Sequence, residues 1–326
     1  MRSTDAEALA SYRDLPDVAR YQDWSLPYTV EHARAMLARQ DILDDVTPKE
    51  WVQIAIELVS DGTLVGDVAV GLPVDGIAHL GYTLAPEHQG RGYASEAAGV
   101  MVDALFAHTD VHRIVASLDP QNLASMRVVE QLGFTFEGLA RQSEPIRGEW
   151  LDDMRFAILR SDREAWLARP RDKPTDVRLV EIQPGEARQW AQLVTHRFQR
   201  QFVAPVLESF ADALHPPVID GHPLVPWYRG IEADGERAGF LMMSEVSDGH
   251  PDPYLWRLII DRRHQRRGIA IAALRQLIDD LRAQGCSRLL VSYVLAPGGP
   301  EPLYRGLGFV PTGEMDEDET VAALTL

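Results

Sequence analysis

The stretch Gln89-Gly90-Arg91-Gly92-Tyr93-Ala94 returns later in the chain as Gln265-Arg266-Arg267-Gly268-Ile269-Ala270. Each copy follows a strand-like apolar run and opens a helix-like one. Such a loop is an anion cradle, because the first N–H groups of a helix lack intrahelical partners and the helix dipole favours negative charge there. Gly92 and Gly268 permit positive φ or close approach of a ligand, and Arg91, Arg266 and Arg267 can add charge-assisted hydrogen bonds. Phosphate is the expected guest. Neither copy is G-x-G-x-x-G, and G-x-x-x-x-G-K-[ST] is absent, so dinucleotide and nucleoside triphosphatase readings lose support.

Each loop also leads to a Leu-Gly-Phe, with 41 positions from Gly92 to Gly133 and 40 from Gly268 to Gly308. The copies lie 176 positions apart, enough for two independently folding domains. We expect them at residues 1–170 and 171–326. The junction is Arg169-Pro170-Arg171-Asp172-Lys173-Pro174, which follows a capping-box pattern at Ser161-Asp162-Arg163-Glu164.

The elements that position the loops are read from periodicity and turn residues. In the first copy we expect helices at residues 5–13 and 29–39, the second capped by Thr29. A hairpin about Asp61-Gly62 joins strands 51–59 and 63–70. Strand 79–84, helix 95–108, strand 113–118, helix 125–132 and strand 154–159 follow, with Ser125 a normal residue for a helix cap. In the second copy we expect strand 177–181, helices 186–196 and 205–214, and a hairpin of strands 228–233 and 237–244 about Asp234-Gly235. Strand 255–260, helix 271–284 with a core stripe of Ile271, Leu274, Leu277, Ile278 and Leu281, and segments 289–293, 302–307 and 321–326 complete it. The fold class is α/β of the α+β type, with mixed sheets and hairpins in place of a doubly wound parallel sheet.

Composition narrows the chemistry. At 326 residues, 45% hydrophobic and 25% charged, the chain is of ordinary globular make-up and long enough for two cores. The single cysteine, Cys286, excludes an intrachain disulfide and argues against a cysteine metal cluster; we expect no metal and a cytoplasmic setting. The start Met1-Arg2-Ser3-Thr4-Asp5 has no apolar signal-peptide core, and no run approaches the length of a membrane span. A formal charge of −17 repels nucleic acid and anionic lipid and favours cationic small molecules or basic segments. Against that field, Arg262-Arg263-His264-Gln265-Arg266-Arg267 is a local basic loop, which again suggests a bound anion.

Both loops match Q/R-x-x-G-x-G/A, the pyrophosphate loop of the GNAT superfamily of acyl-CoA-dependent N-acetyltransferases, and the chain resembles a tandem GNAT over nearly its whole length. The resemblance implies two acetyl-CoA sites formed by Leu84, Gln89, Gly90, Arg91, Gly92, Tyr93, Ala94 and Ser95 in one copy and by Ile260, Gln265, Arg266, Arg267, Gly268, Ile269 and Ala270 in the other. Asn122-Leu123-Ala124-Ser125 through Phe134, with Gly148-Glu149-Trp150-Leu151-Asp152-Asp153, resembles the RimJ/RimL ribosomal-protein alanine N-acetyltransferase branch. By that resemblance Asn122 contacts the CoA arm and Ser125 stands near the acetyl sulfur as a proton donor.

The second copy lacks the Asn-x-x-Ser pattern. Its Pro302-Leu303-Tyr304-Arg305-Gly306-Leu307-Gly308-Phe309 resembles the helix that supplies a general-acid tyrosine in many GNAT enzymes, which makes Tyr304 the leading catalytic candidate. A phenol of ordinary pKa, about 10, is protonated at pH 7 and can meet a departing thiolate. Gln201 to Pro205, Leu255 to Asp261 and Pro311 to Glu314 are similar to bacterial spermine/spermidine (diamine) acetyltransferases. A polyamine is a polycation, and Glu317 and Glu319, in the run Asp316-Glu317-Asp318-Glu319, are expected to hold its distal ammoniums. The same loops and charge would also serve an aminoglycoside or a protein N-terminus as acceptor, or one copy as a non-catalytic CoA-binding module. A carboxylate is the expected proton acceptor, with no residue singled out. Finally, a GNAT domain normally opens on a strand, whereas the helix at Asp5 leaves the first copy little room for one.

Overall fold

In the computed structural model, which describes residues 1–41, 51–219 and 221–326, the chain divides into two units, Met1–Ala168 and Arg169–Leu326. The first runs α1 (Ala6–Arg13), α2 (Pro16–Ala19), α3 (Val30–Asp41), β1 (Trp51–Glu57), β2 (Leu64–Val74), β3 (Ile77–Leu84), α4 (Tyr93–His108), β4 (Arg113–Leu118), α5 (Leu123–Leu132), β5 (Thr135–Ile146), β6 (Glu149–Leu159) and α6 (Arg160–Ala168). Its sheet has the order β1-β2-β3-β4-β6-β5. The second unit opens with β7 (Val177–Val180), α7 (Ala187–Trp190) and α8 (Val206–Leu214). A short ribbon follows, β8 (Val218–Ile219) and β9 (His222–Pro223). Next come β10 (Pro226–Ala233), β11 (Glu236–Ser244), β12 (Tyr254–Ile260), α9 (Ile269–Ala283), β13 (Arg288–Tyr293), α10 (Glu301–Gly306), β14 (Val310–Asp316) and β15 (Glu319–Thr325). Its main sheet has the order β14-β15-β13-β12-β11-β10-β7. Both units are mixed, mainly antiparallel sheets with helices, as the element order predicts.

Each of the two main sheets has one parallel junction, and it is short. β3 pairs with β4 only at Ile77↔Arg113, Ala78↔Ile114 and His79↔Val115; β12 pairs with β13 only at Tyr254↔Leu290 and Leu255↔Val291. Beyond those pairs the strands part, and the loops of interest leave from the far ends of β3 and β12. A splayed pair of strands opens a cleft in the sheet without leaving buried backbone unpaired, because a ligand or water can reach it.

The helices after the loops are held by apolar faces. On α9 the buried stripe is Ile269, Leu274, Leu277, Ile278 and Leu281, so Ile269 replaces the expected Ile271, which is half exposed. This stripe packs on Leu241, Leu255, Val291 and Phe309 in the main core of the second unit.

The structure corrects several sequence-based expectations. Strands β5 and β14 went unread because β5 has no buried residue and carries Glu137, Gly138, Arg141 and Gln142 among its apolar positions, and β14 is exposed throughout. The helix expected over 186–196 is only α7, since the backbone beyond it is taken by other partners. The Val194 N–H donates to Asp261 Oδ2 at 3.0 Å, and its carbonyl accepts from the Arg262 N–H at 2.8 Å. Ser125 does not cap α5. Asn122 does, its Oδ1 accepting the Ser125 N–H at 3.1 Å. Likewise Asp162 accepts the Leu159 N–H at 3.1 Å, so α6 starts before Ser161.

The edge of the first sheet bears out the missing strand among the described residues. In the second unit β7 covers β10 from Gly230↔Val180 to Ala233↔Val177. In the first, β1 is the edge, and the side chain of Gln40 stands in for a strand at one position. Its Nε2 donates to the Gln53 carbonyl at 2.8 Å and its Oε1 accepts the Gln53 N–H at 2.9 Å.

Candidate active site

Both loops close in the same way. Gln89 Nε2 donates to the Leu84 carbonyl at 3.1 Å, and Gln265 Nε2 donates to the Ile260 carbonyl at 3.0 Å. The glutamine amides thereby hold the loop to the end of the strand before it. Gly92 and Gly268 then cap α4 and α9 at φ +88° and +80°, left-handed values that an L-residue adopts at a cost of about 1–2 kcal/mol. No side chain caps either helix. The first intrahelical bonds are Glu96 N–H to the Gly92 carbonyl and Ala272 N–H to the Gly268 carbonyl. The N–H groups of Tyr93, Ala94 and Ser95, and of Ile269, Ala270 and Ile271, precede those bonds and face the open end. A Cβ built at Gly90, Gly92 or Gly268 would meet nothing within 4 Å, so the approach to these donors is clear. The Ser95 hydroxyl turns aside to Gln131 Oε1 at 3.0 Å, leaving Ser95 to contribute its backbone.

The arginines divide. Arg91 and Arg266 are exposed, and Arg266, at φ +65°, lines the cavity of the second unit. Arg267 is buried: Nε donates to the Asp172 carbonyl at 2.7 Å, Nη1 meets His264 Nδ1 at 2.9 Å and Nη2 lies 3.6 Å from Asp234. Its guanidinium braces the loop against the start of the unit and is not available to a phosphate. His264 belongs to the same brace, with Nε2 3.7 Å from Glu236, and burial holds its imidazole below the usual range.

In the second unit a cavity of about 1050 Å³ reaches from Gln265, Arg266, Gly268, Ile269 and Ala270 to Tyr304 and to Asp316, Glu317, Asp318 and Glu319. Tyr304 is 6% exposed, stacked on Tyr293 (5.5 Å between centroids) and edge-on to Phe309. Its hydroxyl makes no hydrogen bond among the described residues. Burial pushes the phenol well above its ordinary range, assisted by Glu319, Tyr254 and Tyr293, so Tyr304 is a protonated donor at neutral pH. The acidic run forms the β14–β15 turn, with Glu317 at φ +53° at its exposed tip. Tyr254 donates to Asp316 Oδ2 at 3.1 Å, and Ser292 donates to Glu319 Oε2.

The first unit is arranged differently. Its cavity, about 1010 Å³, is lined by Trp24, Tyr28, Trp51, His79 and Tyr82 and by Asp119, Glu144, Asp152 and Asp153, but its lining does not include Ser125, Asn122 or the loop. Ser125 is half-buried, and its carbonyl accepts the Tyr82 hydroxyl at 2.8 Å. A buried network forms one wall. Arg13 Nη2 contacts Asp67 Oδ2 at 2.9 Å, Tyr12 donates to Asp67 Oδ1 at 2.5 Å, and the Arg13 guanidinium lies 4.4 Å from the Trp24 ring and 5.5 Å from that of Tyr28. Asp153, also buried, accepts from Arg155 Nε at 2.8 Å. Sequence reasoning passed over Asp67, although a lone carboxylate inside the apolar run Val65 to Val70 was the available signal.

No helix among the described residues is long and apolar enough to cross a membrane. Compared with known proteins, residues 1–135 match the acetyltransferase (GNAT) domain, and residues 190–309 match the acetyltransferase (GNAT) family. The probable N-acetyltransferase YjcK of Bacillus subtilis is 37% identical over 140 residues, which is 42% of this chain and 76% of that protein. The uncharacterized N-acetyltransferase p20 of Bacillus licheniformis is 30% identical, over 50% of this chain and 91% of its own length. The ribosomal protein uS5-alanine N-acetyltransferase of Escherichia coli is 32% identical over 26% of this chain and 43% of that enzyme.

Proposed function

The chain belongs to the GNAT acetyltransferase family and is an N-acetyltransferase, and from that premise we propose that it binds acetyl-CoA at both glycine loops and transfers acetyl to a primary amine by direct attack. The observation that carries the reading is the pair of glycine-capped helix ends, each with free first-turn N–H groups and unobstructed space above them. They suit a pyrophosphate: the donors are backbone, the glycines hold the loop open, and Arg91 or Arg266 adds charge from the rim. Acetyl-CoA supplies the thioester. Asn122 serves the CoA arm in the first unit.

In the second unit Tyr304 holds the proton that a leaving thiolate needs, inside the cavity that begins at the loop. Ser125 stands outside the lining of the first unit's cavity, so as the corresponding donor there it contributes little. The acidic turn at Asp316 to Glu319 favours a polycation such as spermidine, because each additional ammonium finds a carboxylate. For the first unit, the resemblance of Asn122 to Phe134 to the ribosomal-protein alanine N-acetyltransferase branch, together with the chain's likeness to the uS5-alanine enzyme, favours a peptide N-terminus.

An acetyl-CoA consumption screen against polyamines, aminoglycosides and N-terminal peptides tests the acceptor. Calorimetric titration of the intact chain with acetyl-CoA should show two sites, and Gly92→Glu or Gly268→Glu should each remove one by placing a carboxylate and a strained side chain over the cradle. A single site lost with Gly268→Glu alone would reduce the first unit to a scaffold. Acetylation of an aminoglycoside or a peptide, with no transfer to spermidine or spermine, would end the polyamine reading.

A further inference from the structure

We infer that Glu319 is the general base of the second unit, taking the proton from the acceptor ammonium, while its neighbours in the acidic turn only attract the substrate. The inference rests on the reading of that unit as an amine acetyltransferase.

The four carboxylates of the β14–β15 turn all line the cavity, and they are not equivalent. Asp316, Glu317 and Asp318 are exposed, whereas Glu319 is half-buried. Asp316 is engaged by the Tyr254 hydroxyl. Glu319 is held from behind by the Ser292 hydroxyl on β13, bonded to Oε2, while Oε1 accepts nothing among the described residues. A carboxylate fixed at one oxygen and open at the other is oriented for proton transfer.

The groups around Glu319 come from every element that meets it. These are Ser292 on β13, Asp316 directly opposite across the β14–β15 turn, Tyr254 on β12 and Tyr304 on α10. Tyr304 is the independent observation: a hydroxyl on a residue 94% buried, facing the same cavity and without a protein partner. Glu319 is close enough to act electrostatically on that phenol, behind burial as the larger influence. Donor and acceptor of protons thus share one cavity on separate elements, as acid and base flanking a reacting nitrogen must.

The proton account closes. Glu319 accepts one proton from the ammonium, which frees the nitrogen lone pair. Tyr304 hands its phenolic proton to sulfur as the carbon–sulfur bond breaks and the nitrogen–carbon bond forms, then recovers a proton from the newly acylated nitrogen. Glu319 releases its proton to solvent. Without the base only the neutral fraction of the amine reacts, about one part in a thousand at pH 7 for a pKa near 10.

The test uses the full chain with Gly92→Glu, so that only the second unit turns over, and compares Glu319 with Glu319→Gln. At pH 7 kcat for spermidine should fall about 100-fold or more, with calorimetric affinity for acetyl-CoA nearly unchanged, which also verifies folding. Activity of the variant should climb about tenfold per pH unit from 7 to 9, as neutral amine accumulates, while the parent stays nearly flat. Glu319→Asp should restore part of the rate at pH 7. A raised KM and weaker spermidine binding with kcat and pH profile unchanged would make Glu319 a binding carboxylate and overturn the assignment alone, as would an unaffected rate. A parent that acetylates no amine would overturn the functional reading and this assignment with it.

Discussion

The first unit enters α4 through Gly90 and Gly92, and the second enters α9 through Arg266 and Gly268, yet the two helix ends present the same uncapped N–H groups. Across the cleft the likeness stops. The second unit joins loop, Tyr304 and the four carboxylates of the β14–β15 turn in one cavity. The first has a cavity of nearly the same volume built from aromatic rings, carboxylates and the Arg13–Asp67 pair, apart from its loop and from Ser125. An anion cradle made of backbone tolerates wide sequence change as long as two or three residues hold its φ values. An acceptor site made of side chains has no such constraint, so after duplication it is the part free to diverge.

The largest expected effect separates the two proton donors. Tyr304→Phe removes a hydroxyl but little packing, and should lower turnover at the second unit by about 10²- to 10⁴-fold with acetyl-CoA affinity retained. Ser125→Ala removes a hydroxyl that does not line the cavity of the first unit, and should cost less than about tenfold at that unit, well below the usual general-acid contribution. Steady-state rates with the other loop disabled by Gly→Glu measure each. Equal losses would mean that the units work alike and that the contrast between their cavities is not functional.

Next in size is a stability difference. Arg13→Ala leaves Asp67, which is fully buried, without its cation, and breaking a buried pair in this way costs about 3–5 kcal/mol. Urea denaturation of the whole chain should show the transition of the first unit move down and that of the second stay in place. A loss below about 1 kcal/mol would show that the Tyr12 hydroxyl suffices to hold the carboxylate.

How far these features were legible follows from where their causes lie. The loops, their following helices and α10 could be read because the determinants are local: a glycine at a cap, an apolar stripe, a tyrosine before Leu-Gly-Phe. Arg267 was misread because its partners, Asp172 and Asp234, are remote in sequence, and a basic run gives no direction to any one side chain. The Arg13–Asp67 pair, 54 positions apart, is invisible for the same reason. β14 carries no inward apolar alternation, since it is exposed along its length. The short α7 was overextended because Val194 is captured by Asp261 and Arg262, a contact across 67 positions.

Acid should act on the second unit through His196. Burial, with Arg262 and Arg169 nearby, lowers its imidazole to about 4. The unfolded chain, near 6.5, therefore binds more protons between those values, so stability is fully present above pH 6.5 and is lost as pH falls toward 4. The loss approaches about 3 kcal/mol, at 1.36 kcal/mol per unit. Denaturation midpoints of the second unit at pH 7 and pH 5 measure it, and His196→Gln should flatten the dependence. A slope unchanged by that substitution would assign the acid sensitivity elsewhere.

The smallest effect bears most directly on the duplicated loop. Arg266 occupies at φ +65° the position that Gly90 occupies at +73° in the first loop, and a left-handed conformation costs an L-residue about 1–2 kcal/mol. Arg266→Gly relieves that strain but widens the unfolded ensemble by about 0.4–1 kcal/mol, so the second unit should gain roughly 0.5–1 kcal/mol in stability. Acetyl-CoA affinity at that unit should move the other way. Arg266 is exposed and lines the cavity beside the uncapped helix end, and a hydrogen bond from a charged group contributes about 1.5–3 kcal/mol. A variant that is more stable yet binds acetyl-CoA more weakly at the second site would mean that the strain is retained for the charge it holds at the rim. A variant that gains stability with affinity intact would leave Arg266 without a role at the anion, and the second loop would then bind through its backbone alone.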